Sequence, residues 1–229
     1  MAAKEKARSP GAPLVPLSYV AFVLLAGALV YGFVSVVREG ETRRRCSAMC
    51  ILKPDYAAAN KAVPAFALPN MKGQTVSLDS YKGKVVVLNF WTKTCGPCLQ
   101  EMPEIMDLAK IVKDRSDVAV VTISTDDGPD DVRDTLKSIL REEPPFEVLF
   151  DPDSKIVAGK FGTHLFPETW ILDKRGVIRA RFDGARQWSN AAVVEVIDQL
   201  RNGGYCPVEM QDGKATGEAA RLCEELQGS

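Results

Sequence analysis

The run Val85-Val86-Val87-Leu88-Asn89-Phe90-Trp91 restricts the possible folds more than any other stretch of the chain. It is almost unbroken in apolar character and rich in β-branched and aromatic residues, which is the signature of a strand buried on both faces. Thr92-Lys93-Thr94 follows, then Cys95-Gly96-Pro97-Cys98, then apolar residues at helical spacing: Leu99, Met102, Ile105, Met106, Leu108, Ala109 and Val112. A buried strand that passes so quickly into an amphipathic helix places the two cysteines at the turn between them. The first turn of a helix has unpaired N–H groups and the positive end of the macrodipole, so it stabilises an anion there. That lowers the pKa of Cys95, and the thiolate is the nucleophile in disulfide exchange. Cys98, one turn on, is the less exposed of the pair and is placed to attack a mixed disulfide formed at Cys95. Pro97 fixes φ at a position whose N–H has no helical partner anyway.

A lone C-x-x-C can be half of a zinc site, but such a site normally has a second pair at similar spacing. Cys46, Cys50, Cys206 and Cys223 are distant and do not repeat it, so a redox dithiol is the expectation and no metal or other cofactor is implied. The formal net charge of −1 gives no reason to expect nucleic acid as a partner. With 229 residues and 46 % hydrophobic content, the chain can bury one domain of ordinary size and carry appendages.

The appendages can be placed in order. Residues 1–13 are polar and contain Lys4, Lys6 and Arg8. Residues 14–37 contain no charge; as a helix at ~1.5 Å per residue they extend about 36 Å, enough for a ~30 Å hydrocarbon core. Tyr19 and Tyr31 suit its interfaces. A cleaved signal peptide is the competing reading, but its apolar core is only ~7–15 residues and ends at a small-residue site. Here Arg38 and Arg43-Arg44-Arg45 follow without such a site, so an uncleaved anchor is expected. Cations flank the run on both sides, and the positive-inside rule gives no orientation. Residues 38–61 read as a juxtamembrane linker holding Cys46 and Cys50. Six cysteines behind a membrane segment point to an oxidising compartment.

Residues 62–202 read as the folded domain. Phe66 and Leu68, a Pro69–Gly73 turn and Thr75–Leu78 predict a β-hairpin. Val118–Ser124 predicts a second buried strand and Asp130–Glu142 a helix with Val132, Leu136, Ile139 and Leu140 inward. A short strand at Phe146–Phe150 and a short helix at Ser154–Phe161 follow. Thr169–Leu172 and Val177–Phe182 form a hairpin around Asp173–Gly176, and Ser189–Arg201 is the last helix. The fold class expected is α/β, a mixed sheet with helices on both faces. Residues 203–229 form a C-terminal extension, where a Cys206–Cys223 disulfide would tie down a segment with little core of its own; crossed pairing to Cys46 and Cys50 is the alternative.

The segment Asn89-Phe90-Trp91 … Cys95-Gly96-Pro97-Cys98-Leu99-Gln100-Glu101-Met102-Pro103 resembles the active-site segment of TlpA/ResA-type thioredoxin-like proteins, and the resemblance runs from about Val63 to about Gly203. It implies a thioredoxin-like domain with an added N-terminal β-hairpin behind one transmembrane helix, and a bacterial single-pass inner-membrane protein whose domain lies outside the cytoplasm, which makes residues 1–13 a cytoplasmic tail. It also implies that Phe166-Pro167 is a cis-proline facing the dithiol, beside which an extended substrate can pair. Glu101, otherwise read as a surface helix carboxylate, becomes a partly buried group that moves protons as the thiols cycle. Trp91, Thr94, Gly96, Pro97 and Phe166 are the implied docking residues, although the family usually has Trp where this chain has Thr94. Lys93 reads as solvated and His164, the only histidine, as a rim residue.

The function implied is reduction of disulfides in extracytoplasmic proteins, as in cytochrome c maturation or copper-site assembly, with electrons from a membrane dithiol carrier. A disulfide-forming oxidase or isomerase of the same fold is the second reading, since direction follows reduction potential and 30 mV is worth ~1.4 kcal/mol. A metallochaperone or thiol-binding scaffold, prompted by the Cys46-x-x-x-Cys50 pair, is the third. No lone peroxidatic cysteine behind a Pro-x-x-x-Thr turn is present to support a peroxidase.

Overall fold

The computed structural model describes residues 16–57, 60–217 and 220–227; residues 1–13 and the first two positions of the expected span lie outside them. In chain order the elements are α1 (Leu17–Leu52), β1 (Tyr56–Ala57), β2 (Ala67–Pro69), β3 (Thr75–Ser77), a 3₁₀ turn (Leu78–Tyr81) and β4 (Val85–Trp91). They continue with α2 (Gly96–Val112), β5 (Val118–Ser124), α3 (Pro129–Leu140), β6 (Glu147–Phe150), β7 (Glu168–Leu172) and β8 (Ile178–Asp183). The chain closes with α4 (Ala191–Arg201), β9 (Glu209–Gln211), β10 (Lys214–Thr216) and α5 (Ala220–Gln227).

Two units are distinct, residues 1–41 and 42–229. In the first, α1 carries its large apolar side chains, among them Phe22, Leu25, Leu29 and Phe33, in the open. It is the one helix among the described residues long and apolar enough to cross a membrane.

The second unit is built on β4, every residue of which is buried. It pairs in parallel with β5 and antiparallel with β7, near the middle of an eight-stranded sheet of order β10-β9-β1-β8-β7-β4-β5-β6. Side chains alternate across a strand, so one run of apolar residues supplies two cores. Val85, Val87 and Trp91 face a core shared with α2, α3 and α4, whereas Val86, Leu88 and Phe90 face a second. That second face is covered by the β2–β3 hairpin, the 3₁₀ turn and the segment around Ile156 and Val157 rather than by a long α-helix. Residues 154–161, expected as a short helix, are a series of tight turns. Asp151 holds them by accepting the Ile156 and Val157 N–H groups, at 2.8 and 2.7 Å.

Residues 38–61 and 203–229 have more structure than their composition implies. Helix α1 continues to Leu52, and its last turns bury Cys46, Ala48, Met49 and Cys50. Strand β1 then pairs with both β8 and β9, which draws the tail into the main sheet. The tail is therefore not closed by a Cys206–Cys223 bridge. Cys46 is bonded to Cys206 and Cys50 to Cys223, two staples between the end of α1 and the C-terminal segment. The spacing of Cys46 and Cys50 puts them on one helix face one turn apart, where each reaches a separate partner. All four sulfurs belong to residues in the core, so these are structural bridges inaccessible to exchange.

Candidate active site

Cys95 is the N-cap of α2 and Cys98 lies in its first turn, and the two are joined as a disulfide. The Cys98 N–H donates to the Cys95 sulfur at 3.1 Å, so the orphan donor of the helix terminus is spent on that one atom. Cys95 is half-buried, Gly96 and Pro97 are exposed, and Cys98 is completely enclosed. One sulfur thus meets solvent at the positive end of a helix, and the other waits behind it.

The turn that presents Cys95 is held by Asp126, a buried carboxylate just past β5. Its Oδ1 accepts the Thr92 hydroxyl at 2.8 Å; its Oδ2 accepts the Lys93 N–H at 2.8 Å and the Ser124 hydroxyl at 2.7 Å. The Lys93 ammonium pairs with Asp131 at 2.6 Å, and this bond and Asp131's charge hold its pKa up. Thr94 is exposed.

Glu101 is only 2 % exposed. Its Oε1 accepts the Asn89 amide at 2.8 Å; its Oε2 accepts the Trp188 indole N–H at 2.9 Å and the Arg186 backbone N–H at 3.1 Å. Burial pushes the carboxyl above the ordinary range, and these three bonds and the Arg186 charge pull it only part of the way back. The Asn89 amide nitrogen also donates to Thr169 on β7 at 2.9 Å, so one side chain ties α2, β4 and β7 together.

The Phe166–Pro167 peptide is cis. Register pairs Phe90 with Glu168, which sets Pro167 at the Trp91 end of β4, the end that carries the dithiol. Leu165, beside it, is 85 % exposed. Glu168 is a second buried carboxyl; its Oε1 accepts from Thr163 and from the Trp170 indole, and burial raises its pKa. Trp91, expected on the docking surface, is fully enclosed: with Asn89 and Val87 it points from β4 beneath α2, and it is core. Thr94, Gly96 and Pro97 beside Cys95 are exposed, as are His164 and Leu165 just before Pro167, while Phe166 is half-buried. Sequence reasoning did not single out Asn89, Asp126, Thr169, Arg186 or Trp188. A Trp just before α4 is a usable signal for Trp188, whereas Arg186 reaches Glu101 through its backbone N–H and leaves none.

A dithiol at the N-terminus of the helix after the central strand of a thioredoxin-like sheet makes this a disulfide oxidoreductase. The family model described as AhpC/TSA matches residues 59–181. The chain is 31 % identical over 183 residues to the thiol:disulfide interchange protein DsbE of Allochromatium vinosum, covering 77 % of this chain and 87 % of that one. It is 29 % identical over 124 residues to the thiol-disulfide oxidoreductase ResA of Bacillus cereus, covering 54 % of this chain and 69 % of ResA. The thioredoxin-like protein YneN of Bacillus subtilis is 34 % identical over 116 residues, 51 % of this chain and 66 % of YneN. Among solved structures, one assigned to a DsbE from Chlorobium tepidum superposes with a TM-score of 0.54 at 27 % identity, over 62 % of this chain and 96 % of that one. The chain belongs to the AhpC/TSA family and, within it, to the TlpA/ResA-type thioredoxin-like proteins.

Proposed function

We propose that this protein is a membrane-anchored reductase of disulfides in extracytoplasmic proteins, working from the outer side of a bacterial inner membrane. The observation that carries the reading is the asymmetry of the dithiol: Cys95 is half-buried with its sulfur on the Cys98 N–H, and Cys98 is fully enclosed. In the reduced form the Cys95 thiolate attacks one sulfur of a substrate disulfide. An S–S bond forms between them, and the other substrate sulfur leaves as a thiolate. Cys98 then loses its proton and attacks the Cys95 sulfur, which releases the second substrate thiol and leaves the Cys95–Cys98 disulfide. Two electrons pass to the substrate. Glu101, one helical turn beyond Cys98, takes the proton that Cys98 gives up. Pro167, Phe166, Thr94, Gly96 and Pro97 form the edge along which the substrate lies.

A membrane dithiol carrier returns Cys95–Cys98 to the thiol form, and residues 14–37 keep the domain beside it. The names of the relatives ResA and DsbE support the exchange chemistry; the resemblance to their group is the ground for proposing cytochrome c maturation or copper-site assembly as the setting. Trapping is the test. Cys98→Ser is expected to accumulate mixed disulfides through Cys95, and Cys95→Ser to trap none; the reverse result would exchange the two roles. A reduction potential for the couple near that of a strong oxidant, about −120 mV, would make the protein an oxidase instead.

A further inference from the structure

The end of α1 is fastened to the domain covalently, and it also reaches the buried acid. The Arg186 guanidinium donates to the Leu52 carbonyl, the last of α1, at 3.0 Å. A cation is favoured at that place, because the final carbonyls of a helix carry its negative end. The same guanidinium lies 3.5 Å from Asp55 and 4.9 Å from the centre of the Phe182 ring. The backbone N–H of Arg186 donates to Glu101, so one residue spans the gap between the helix end and the carboxyl beside Cys98. Cys46 and Cys50, within the last two turns of α1, are bonded to Cys206 and Cys223. The helix end is thus fixed by two staples before it receives Arg186.

We propose that Arg186 is a positioning residue that couples the disulfide-stapled end of α1 to the Glu101 carboxyl, which makes this stalk segment a working part of the dithiol site. The coupling has a definite sign. The Arg186 charge and its N–H both favour the ionised acid. Asn89, Thr169 and Trp188, which complete the pocket, carry no charge. Of the charged groups nearby, Asp55 lies against the Arg186 guanidinium, Glu104 accepts the Ser189 hydroxyl at 2.5 Å, and the charge that acts on Glu101 is that of Arg186. Releasing the helix end removes the carbonyl that holds the guanidinium, lets the 184–188 loop relax and leaves Glu101 with less support for its charge.

The inference takes its functional meaning from the role proposed for Glu101, but it is tested without any exchange reaction. The probe is the carboxyl carbon signal of Glu101 in full-length, ¹³C-glutamate-labelled protein, oxidised at Cys95–Cys98 and assigned by its loss in Glu101→Gln. Arg186→Ala is expected to move the Glu101 titration to higher pH, and Arg186→Lys to leave it near the wild-type position. Cys50→Ser/Cys223→Ser, which keeps the Cys46–Cys206 staple and with it a folded tail, is expected to move the titration the same way as Arg186→Ala. In an Arg186→Ala background, removing that staple should add nothing. An unmoved titration in Arg186→Ala or in the staple variant overturns the proposal, as does a staple effect that persists without Arg186. Failure of substrate trapping with these titrations as expected would fault the exchange mechanism and leave the coupling standing.

Discussion

Replacing Glu101 by Gln keeps the shape of a buried group and removes its proton. In the native protein burial raises this carboxyl, so the folded chain retains a proton at pH values where the unfolded chain has released it. The sign follows: the contribution is fully present below the unfolded carboxyl pKa and is lost as pH rises through the higher folded value, at no more than about 1.4 kcal/mol per pH unit. Gln removes that slope. Its carbonyl can still accept the Trp188 and Arg186 N–H groups, but its amide nitrogen then faces the Asn89 amide. Asn89 must rotate, which brings its Oδ1, buried and without a hydrogen bond in the native protein, onto the new donor. Thr169 has to donate where it accepted. The net change is of the order of one neutral hydrogen bond, ~1 kcal/mol. Glu101→Gln is therefore expected to be the less stable protein at acid pH, with the deficit shrinking or reversing toward alkaline pH. Urea unfolding of both proteins, oxidised so that neither active-site cysteine titrates, measures this directly, and exchange rates against pH are read beside it. A stability difference that is constant across pH would show that Glu101 does not titrate with a raised pKa, and an unchanged rate profile would remove it from the proton path.

Two further outcomes concern the frame. Either staple alone leaves the other in place, and the loop between them has only about 21 residues, so chain entropy predicts a loss of ~3 kcal/mol for removing one and ~8 kcal/mol for removing both. Denaturant midpoints of the two single-pair variants and of the quadruple Ser variant test this, and strict additivity of the single effects would contradict it. Asp126→Asn replaces one of two accepting oxygens with a donor in a buried site that serves Thr92, Lys93 and Ser124. A loss of about 1–3 kcal/mol is expected, with slower attack by Cys95 because the preceding turn loosens, and an exchange rate equal to wild type would show that the turn holds itself.

The β4–dithiol–α2 segment and the order of the elements through the domain were legible because each rests on a local pattern: an unbroken apolar run, a helical period, a turn between two short strands. The approach of Pro167 to the cysteines came from the resemblance and from no local pattern. Glu101 was legible only through its resemblance, since an i,i+3 neighbour of a cysteine has no intrinsic reason to be buried. What could not be read is nonlocal. Strands β1, β9 and β10 have two or three residues each, too few to show alternation, and the register of β1 against β8 and β9 makes them strands. The staples depend on which residues the fold brings together, and no spacing along the chain expresses that. Trp91 misled for a related reason. An aromatic residue near a reactive turn suits either a wall or a core, and only the parity of β4, which turns Trp91 under α2 with Val87, decides between them.

The staples also set an order of events during synthesis. Cys46 and Cys50 must wait for partners 160 and 173 residues further along the chain. At ~5–20 residues per second those partners follow roughly 8–35 s later. Throughout that interval the nascent chain holds two thiols with no native partner, while Cys95 and Cys98, three residues apart, are complete as a pair as soon as both have emerged. Strand β1 is likewise left with β8 alone on one side until β9 arrives. Helix α1 is thus made long before it is locked, and the closure of the domain waits for the segment that carries Cys206 and Cys223.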